Sequence, residues 1–457
     1  MSNRSRQLSR GDQRRNERLA TLRSVVTRET AVLAVDLAAD KQVFALCDPD
    51  SAVLARRTVR ARAWELAPAV EWGISQATAA GFSSVVVACE PTGHRWRVLD
   101  QVTASLGVPL LCVQPMLVGR ARVAEDLTRN KNDEADAVVI ARLVTELRCY
   151  LPERADPAWA RLRHLGARRA RLVTERGAAR QQVRDLLECA WPAALSAAAQ
   201  PLDSMSWLAA VTVALDHIGT SGDLHAVRSL GWSRFAAATS KVLPRFGTTR
   251  RYTPVVRAVF DAATQPSLAA LGVEDQRAGA LERAAFCLAD LVRLRGELAD
   301  VEDRICALTD ELGLSHLIGS IPGISVLGAA LILAETGDPT RFGSARALVK
   351  HAGLCPRANE SGRSAGTTTI SGKGRPGLRL AAWRAVFSAL QHNPVLAARY
   401  THLTSRADRP LTDTQARVAL CAALLRQLHA VVTTATPWSA ARASGAGRSG
   451  EGAARAA

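Results

Sequence analysis

The sequence contains no CxxC pair: its nine cysteines lie singly along the chain. An odd, scattered set of this kind argues against a disulfide or zinc framework and is typical of small core residues in a reducing cytoplasm. Apolar runs are also short, and the longest, around 327–334, is well below the ~18 residues that a membrane span needs. No apolar stretch that could act as a secretory signal precedes Val32. We therefore expect a cytoplasmic protein with no membrane partner.

Lysine is scarce, since only five of the 59 basic residues are lysines. The chain has 42 acidic residues, so its formal net charge is +17. Arginine binds phosphate through two donors at once, which makes nucleic acid the first partner to consider. A genome rich in arginine codons would explain arginine in place of lysine, but not the excess of basic over acidic residues. At 48% hydrophobic and 22% charged residues, the 457-residue chain is typical of a globular protein with roughly two to four domains.

Hydrophobic patterning predicts five regions. Residues 1–30, with eight arginines and three acids, are predicted to form a basic flexible arm. Residues 31–150 contain three strand-like patches followed by βα units, which predicts an α/β domain with a mixed sheet. Residues 151–318 are mostly helical, and 319–435 form a compact, mainly helical region. The Ala/Gly/Ser/Arg-rich segment 436–457 is predicted to be disordered.

The middle region contains an apolar repeat typical of coiled coils. Along one predicted helix, apolar residues recur in steps of three and four: Leu291, Leu294, Leu298, Val301, Ile305, Leu308 and Leu312. This seam of about three heptads predicts a helical hairpin or an intermolecular coil, with an ordinary amphipathic helix as the alternative. A segment at about 195–275 interrupts the region as an insertion to which the sequence assigns no role.

Four acids follow predicted strands or begin a predicted helix. Asp36 follows the apolar run 32–35, Glu90 ends the fourth strand, and Asp133 and Asp136 share one helix face. Acids directly after buried strands are costly unless a cation compensates them, and Mg²⁺ is the usual one. The layout is that of an RNase H-like metal site, in which two cations activate an attacking oxygen and stabilise a leaving one. Helix capping would explain Asp133, and the helix dipole Asp136, without any metal.

A second polar group lies in the C-terminal region. Between residues 341 and 384, nine basic residues stand against one acid, Glu360. The Gly/Ser/Thr-rich stretch within it offers hydroxyls and exposed amides, as phosphate-binding loops do. A serine there could attack a phosphodiester, because arginines stabilise the charge that builds on the phosphoryl group. The residues do not select among Ser361, Ser364 and Ser371, and a non-catalytic phosphate-contact loop is the alternative.

In this order, the motifs resemble those of insertion-sequence transposases that join an N-terminal RuvC-like DEDD domain to a C-terminal serine domain, the bridge-RNA-guided DNA recombinases. The matching motifs are VDLAADK with Asp36, CEPTGHRW with Glu90, NKNDEADA with Asp133 and Asp136, SIPGISVLGAALILAETGDPTRF, AGLCPRANESG with Ser361, and ISGKGRPGLR. The resemblance covers about 31–150 and 276–432. The chain departs from the family at Asn132, where threonine is usual, at Ser325, where a second hairpin glycine is common, and at Lys373, which is displaced by one residue.

The resemblance implies an RNase H-like (RuvC-like) α/β N-terminal domain, a helical coiled-coil middle region and a mainly α-helical C-terminal serine domain. It implies that Mg²⁺ is bound by four carboxylates, those of Asp36, Glu90, Asp133 and Asp136. Two ions are expected, and Mn²⁺ could replace Mg²⁺. Ser361 is then the nucleophile that forms a covalent link to DNA. The surrounding basic residues expected to contact nucleic acid are Arg357, Arg363, Lys373, Arg375 and Arg379.

The resemblance also implies partners. A structured non-coding bridge RNA, encoded by the element, pairs with donor and target DNA. The protein is expected to be a nucleoid-associated homo-oligomer, dimer to tetramer, in which the acid domain of one protomer completes the serine site of another. Two other interpretations stay open. One is a RuvC-like, metal-dependent, structure-specific endonuclease that uses no serine, and the other is a catalytically inactive nucleic-acid-binding assembly protein.

Overall fold

A computed structural model of the chain describes residues 8–125, 133–154, 156–357 and 369–444. The chain divides into two compact units, Met1–Arg154 and Ala155–Ala457.

The first unit is built on a five-stranded mixed sheet. Its strands are β1 Thr30–Leu37, β2 Lys41–Cys47, β3 Val53–Arg60, β4 Ser84–Cys89 and β5 Leu110–Cys112, in the spatial order β3-β2-β1-β4-β5. The first three strands pair antiparallel, whereas β1, β4 and β5 run parallel. The predicted α/β domain with a mixed sheet is thereby confirmed, and its topology is consistent with an RNase H-like fold.

Helices cover both faces of this sheet. They are α1 Arg10–Arg23, α2 Leu66–Ala79, α3 Arg95–Ser105, α4 Pro115–Glu125 and α5 Asp133–Thr145, with a 3₁₀ turn at Ala63–Glu65. Side chains alternate along β1, so that Val32 and Ala34 pack with α1, α4 and α5. Leu33 and Val35 point the other way and pack with α2 and α3. The sheet is therefore buried on both sides, as its nearly continuous apolar strands require.

The flexible arm predicted over 1–30 is wrong for its described part. Residues Arg10–Arg23 form a helix that Ser9 caps, and Leu22 is only 3% exposed beneath the sheet. Arg18 also donates a hydrogen bond to the carbonyl of Cys149. The apolar residues Leu19, Leu22 and Val26 are too few to stand out in an arginine-rich segment, but they lie on one side of the chain and pack into the core.

The second unit contains two long helices, α6 Pro157–Ala190 and α12 Glu274–Glu311. Ion pairs between them run in opposite order along the chain: Arg161 contacts Glu311, and Arg169 contacts Glu302. The two helices therefore form an antiparallel hairpin. The predicted seam is buried in this unit, with the side chains of Leu291, Leu294, Leu298, Val301, Ile305 and Leu308 all at most 8% exposed. Coiled-coil winding of the pair stays a prediction.

The insertion between the long helices is itself helical. It contains α7 Pro192–Leu195, α8 Met205–Ile218, α9 Ala226–Val242, α10 Thr253–Thr264 and α11 Pro266–Ala269, with 3₁₀ turns at Pro201–Asp203, Gly219–Ser221 and Leu243–Phe246. Two fully buried tryptophans anchor it. The indole N–H of Trp191 donates to the carbonyl of Ala262 over 3.0 Å, and that of Trp207 donates to Ala194 over 2.7 Å.

The remaining elements are α13 Ser315–Gly319, α14 Val326–Thr336, α15 Ala345–His351, β6 Pro356–Arg357, β7 Thr369–Ile370, α16 Pro376–His392, α17 Pro394–Ser405, α18 Asp413–Thr433 and α19 Ala440–Ser444, with a 3₁₀ turn at Pro339–Arg341. They share one hydrophobic core with the hairpin. Gly166 shows how closely the two regions pack, because a Cβ there would lie 2.6 Å from the Cβ of Ala334. The sequence divided these regions at 318/319, but no break in the core lies at that point.

The structure also bears on the membrane-spanning potential of the chain and on the disorder predicted for its C-terminal segment. In the described part of the chain, α18 is the one helix long and apolar enough to cross a membrane, but most of it is buried in the helical core. The disorder predicted over 436–457 is wrong at its start. Trp438 is half-buried, and its indole N–H donates to Gln427 over 3.0 Å. Residues 445–457 lie outside the described part.

Candidate catalytic site and nucleic-acid surface

Asp36 and Glu90 lie at equivalent positions on neighbouring parallel strands. The last paired residues of β1 and β4 are Val35 and Cys89, so each acid is the next residue along its strand direction. By the alternation of side chains, both acids belong with Ala34 and Ala88 on the face that α5 covers. The register therefore brings two of the four predicted carboxylates together at one end of the sheet.

The third described acid, Asp136, is buried on the same face by α5. It is 3% exposed, and both of its oxygens accept hydrogen bonds from one arginine: Arg122 Nε to Oδ1 at 2.5 Å, and Arg122 Nη2 to Oδ2 at 2.6 Å. A bidentate pair of this kind supplies the carboxylate with an opposite charge and two charge-assisted hydrogen bonds. Arg122 was not predicted, because it lies in α4, a helix that the hydrophobic pattern did not indicate.

The fourth acid, Asp133, is the first residue of α5, and its side chain is outside what the structure describes. Within the described residues, no group of three or more acidic, histidine or cysteine side chains comes close enough to hold a metal ion. The donor chemistry nevertheless fits a hard divalent cation, because the predicted ligands are all carboxylates and two of them are neighbours on the sheet. In this structure, the positive charge next to the carboxylate of Asp136 is the guanidinium group of Arg122.

The predicted nucleophile Ser361 and the predicted contact Arg363 lie in the segment 358–368, outside the described residues. The two ends of that segment are paired. Pro356 and Arg357 form a short antiparallel ribbon with Ile370 and Thr369. The sequence predicted only a Gly/Ser/Thr-rich loop here, so the ribbon that joins its two ends is a feature that the sequence reasoning missed.

Close backbone contacts join the residues just before the ribbon to those just after it. The amide of Gly372 donates to the carbonyl of Gly353 over 3.1 Å, and the hydroxyl of Ser371 donates to the same carbonyl over 3.2 Å. Gly374 lies against this backbone so closely that a Cβ would come within 2.5 Å of the amide nitrogen of Gly353. These residues form what we call the glycine clasp: Gly353, Ser371, Gly372 and Gly374. It holds together the described residues on either side of the segment 358–368, which contains Ser361.

The start of α16 is fixed by an acid that the sequence analysis did not single out. Glu335, near the end of α14, accepts a hydrogen bond from Arg375 Nε over 3.3 Å. Gly377 packs directly on the same carboxylate, with no room for a Cβ. Because Glu335 is next to the amides of the first turn of α16, it also complements the positive end of that helix.

The predicted nucleic-acid contacts therefore differ in how accessible they are. Arg357 and Lys373 are exposed, whereas Arg375 is paired with Glu335. Arg379 is half-buried and donates to the carbonyl of Ala352 over 2.9 Å. The first two side chains can reach a polyanion as they stand, and the last two already hold the glycine clasp and α16 in place.

The motif around Ile321-Pro322-Gly323-Ile324 forms a turn between α13 and α14. Gly323 has φ +78° and lies against the backbone of α16, so that a Cβ there would be 2.7 Å from the carbonyl oxygen of Ser388. Ser325, which departs from the expected glycine, is the N-cap of α14 and accepts a hydrogen bond from the amide of Gly328 over 3.0 Å. The departure is therefore explained by helix capping.

Comparison with known proteins gives two family matches. A model of the transposase IS116/IS110/IS902 family matches residues 315–401, and a transposase model of the DEDD type from IS110 elements matches residues 33–192. Two proteins of Streptomyces coelicolor are similar in sequence. The insertion element IS110 uncharacterized 43.6 kDa protein is 27% identical over 309 residues, which cover 67% of this chain and 71% of that protein. The mini-circle putative transposase for IS117 is 30% identical over 349 residues, which cover 74% of this chain and 78% of that protein.

Proposed function

The chain belongs to the IS116/IS110/IS902 family of insertion-sequence transposases, and from that premise we propose that it cuts and rejoins DNA strands through Ser361, with Asp36, Glu90, Asp133 and Asp136 as a divalent-cation site. DNA binding and a general dependence on divalent metal follow from the family. The serine nucleophile, the identity of the metal as Mg²⁺ and the guidance by RNA are the proposed parts.

The observation that carries the proposal is the strand register at Asp36 and Glu90. Asp36, near the end of β1, and Glu90, which directly follows β4, are in register on the face covered by α5, the helix that also carries Asp133 and Asp136. Neighbouring carboxylates repel each other, and a divalent cation bound between them would remove that repulsion. Mg²⁺ or Mn²⁺ bound by these carboxylates would activate an attacking oxygen and neutralise charge on the phosphoryl group.

Arg122 has a defined part in this proposal. Its guanidinium competes with a cation for both oxygens of Asp136, so that Asp136 would bind a cation best when Arg122 turns away. Arg122 thus keeps a buried carboxylate compensated while the cation site is empty, and once released it can contact a DNA phosphate.

In the proposed chemical step, the hydroxyl oxygen of Ser361 attacks a DNA phosphorus atom. A bond forms between the serine oxygen and phosphorus, and one phosphorus–oxygen bond to deoxyribose breaks. The serine proton passes to a base, and the departing oxygen gains a proton and leaves as a hydroxyl. Attack by that hydroxyl, or by one from another strand, reverses the step and rejoins DNA. The exposed Arg357 and Lys373 at the base of the segment would stabilise the charge on the phosphoryl group.

The proposal includes the partners that the resemblance implies. A structured RNA encoded by the element would pair with donor and target DNA and so choose the sites. The protein would act as a homo-oligomer in which the acids of one protomer serve the serine of another, in the cytoplasm and on the nucleoid.

The test is a strand-cleavage assay that combines purified protein, element-end DNA, the flanking RNA and Mg²⁺. We expect a covalent protein–DNA species that Ser361→Ala abolishes and the matched control Ser364→Ala retains. If no adduct forms and the Ser361→Ala variant still cleaves DNA, the chain is instead the metal-dependent endonuclease that uses no serine. If the wild-type protein binds DNA but never cleaves it, the chain is an inactive assembly protein.

The acids are tested by a matched pair of substitutions. Asp36→Asn is expected to block adduct formation while DNA and RNA binding persist, because the carboxylate is needed for the cation and not for the fold of the C-terminal region. Asp40→Asn removes an exposed acid four residues further on and is expected to leave adduct formation intact. Normal adduct formation by Asp36→Asn would contradict the assignment.

A further inference from the structure

Four arginines line two adjoining cavities in the second unit. Arg176, Arg180 and Arg184 follow one another at four-residue intervals along one face of α6, and Arg295 joins them from α12. The first cavity, of about 140 Å³, is lined by Arg176, Arg180, Leu202, Asp203, Met205, Leu208, Leu291 and Arg295. The second, of about 430 Å³, is lined by Gly177, Arg180, Gln181, Arg184 and Leu202. Because the cavities share Arg180 and Leu202, we treat them as one feature, the arginine cleft.

The charges in this cleft do not balance. Among the described residues that line it, Asp203 is the one acid, and it pairs with Arg180 over 2.6 Å. Burial, and then the neighbouring guanidinium groups of Arg176 and Arg180, lower the pKa of Arg295 from its usual value. Among the described lining residues, the single carboxylate of Asp203 offsets only part of the cost of holding four guanidinium groups together.

Two helical turns from the cleft, the arginines of the same hairpin are paired with carboxylates. There, Arg168 is paired with Glu297, and Arg169 with Glu302. Both of these α6 arginines are paired with an α12 carboxylate, although Glu297 is shared with Arg293, whereas α12 presents another arginine, Arg295, at the level of the cleft. An unbalanced cluster next to a balanced one on the same pair of helices points to a ligand that brings the missing negative charge.

The shape of the cleft indicates an extended anion. Arg176 and Arg184 are eight residues apart, which is about 12 Å along the helix axis at 1.5 Å per residue. A nucleic-acid strand rises about 3.4 Å per nucleotide, so the row spans about three to four nucleotide steps. A single small anion would occupy the first cavity and leave Arg184 without a partner. Leu202 and Leu291 give the cleft an apolar floor, which strengthens charge-assisted hydrogen bonds to phosphate.

We propose that the arginine cleft binds the phosphodiester backbone of a nucleic-acid strand, through residues other than those of the predicted carboxylate and serine sites. The insertion at 195–275 supplies Leu202, Asp203, Met205 and Leu208, and so builds one wall of the cleft. Binding here would give the insertion a role that the sequence does not reveal. The assignment deepens the proposed DNA transaction, but it depends on binding and needs no strand cleavage.

The test measures binding of the full-length protein to short fluorescein-labelled oligonucleotides of one sequence, as single-stranded RNA, single-stranded DNA and duplex DNA. Fluorescence anisotropy is recorded over a series of KCl concentrations. The cleft variant is Arg176→Gln/Arg295→Gln. Its control, Arg171→Gln/Arg293→Gln, removes the same charge from the same two helices at exposed positions outside the cleft.

We expect the cleft variant to bind RNA or DNA about tenfold more weakly, with a log–log salt slope shallower by about two, because two phosphate contacts are lost. The control should change the dissociation constant less than about twofold. Loss confined to the RNA probe identifies RNA as the ligand, and loss confined to DNA identifies DNA. If the cleft variant binds every probe as the control does, the proposal is overturned.

A single substitution tests the same idea in the opposite direction. Asp203 is half-exposed, and Asp203→Asn removes the one acid of the cleft, so binding is expected to tighten about threefold. Unchanged or weaker binding by Asp203→Asn contradicts the proposal even if the double variant fails to fold. Absence of a Ser361 adduct would overturn the serine chemistry and leave these binding results standing.

Discussion

Replacing Arg122 by methionine tests the arrangement around the predicted metal site. The substitution keeps most of the volume of the side chain but removes the charge that compensates Asp136. In the wild-type structure, the side chain of Asp136 is 5% exposed and that of Arg122 is 24% exposed, so water can replace little of the lost interaction. The variant therefore leaves a buried carboxylate with neither of its two guanidinium hydrogen bonds.

The expected loss is large for one substitution. Removing one partner of a buried ion pair costs about 3–5 kcal/mol, because the other charge stays buried and uncompensated. The exposed pair of Arg56 and Glu134, on the same unit, provides the control: its side chains are 40% and 58% exposed and lie 3.3 Å apart. Arg56→Met is expected to cost at most about 1 kcal/mol.

The assay is urea unfolding followed by circular dichroism, on the wild type, Arg122→Met, Arg56→Met and the double variant Arg122→Met/Asp136→Asn. Neutralising Asp136 should recover about 2 kcal/mol of the loss, since an amide is cheaper to bury than an unpaired carboxylate. Added Mg²⁺ should stabilise Arg122→Met more than the wild type, because the free carboxylate becomes a ligand. If Arg122→Met costs no more than Arg56→Met, the reasoning about this pair is refuted.

Four further predictions concern packing and the thiols. Gly374→Ala should destabilise the protein by about 1–3 kcal/mol in urea unfolding and abolish adduct formation, because the glycine clasp has no room for a Cβ. Gly296→Ala, with open space in the middle of α12, should instead stabilise it by about 0.5–1 kcal/mol. Leu298→Ala should cost about 2–5 kcal/mol if the hairpin seam is a packed core, and a loss below 1 kcal/mol would show that it is not. Burial raises the pKa of Cys47 to about 11 and that of Cys421 to about 12, so the folded state favours both protonated thiols. Stability should therefore fall as the pH rises from about 9 to 11, and iodoacetamide at pH 8 should label both cysteines slowly in the folded protein and quickly in urea.

Much of the N-terminal fold could be predicted because its strands are recognisable from the local sequence alone. Residues 32–35 and 85–89 are continuous apolar runs, as strands buried on both faces require, and both lie in strands of the structure. The positions of Asp36 and Glu90 at the ends of those apolar runs could therefore be predicted from the sequence as well. The pairing of β1 with β4, which makes the two acids neighbours, depends on contacts between residues 54 positions apart, and no local pattern specifies them.

What the sequence could not supply was the set of partners for the site residues. Arg122 pairs with Asp136 across two helices, and Glu335 pairs with Arg375 across 40 positions. In the sequence, Arg122 was visible only as a contribution to the net charge, and Arg375 only as a predicted nucleic-acid contact. The uneven charge of the arginine cleft was hidden for a related reason, since Arg295 and Arg176 come together only when α6 and α12 fold back on each other.

The central claim is that Ser361 becomes covalently joined to DNA, and mass spectrometry of the trapped complex tests it most directly. Wild-type protein is incubated with element-end DNA, RNA and Mg²⁺, denatured, digested with nuclease and protease, and the peptides carrying a nucleotide are sequenced. The account predicts a single nucleotide-modified site at Ser361. A modification at any other residue, or cleaved DNA ends with no modified peptide at all, would contradict it.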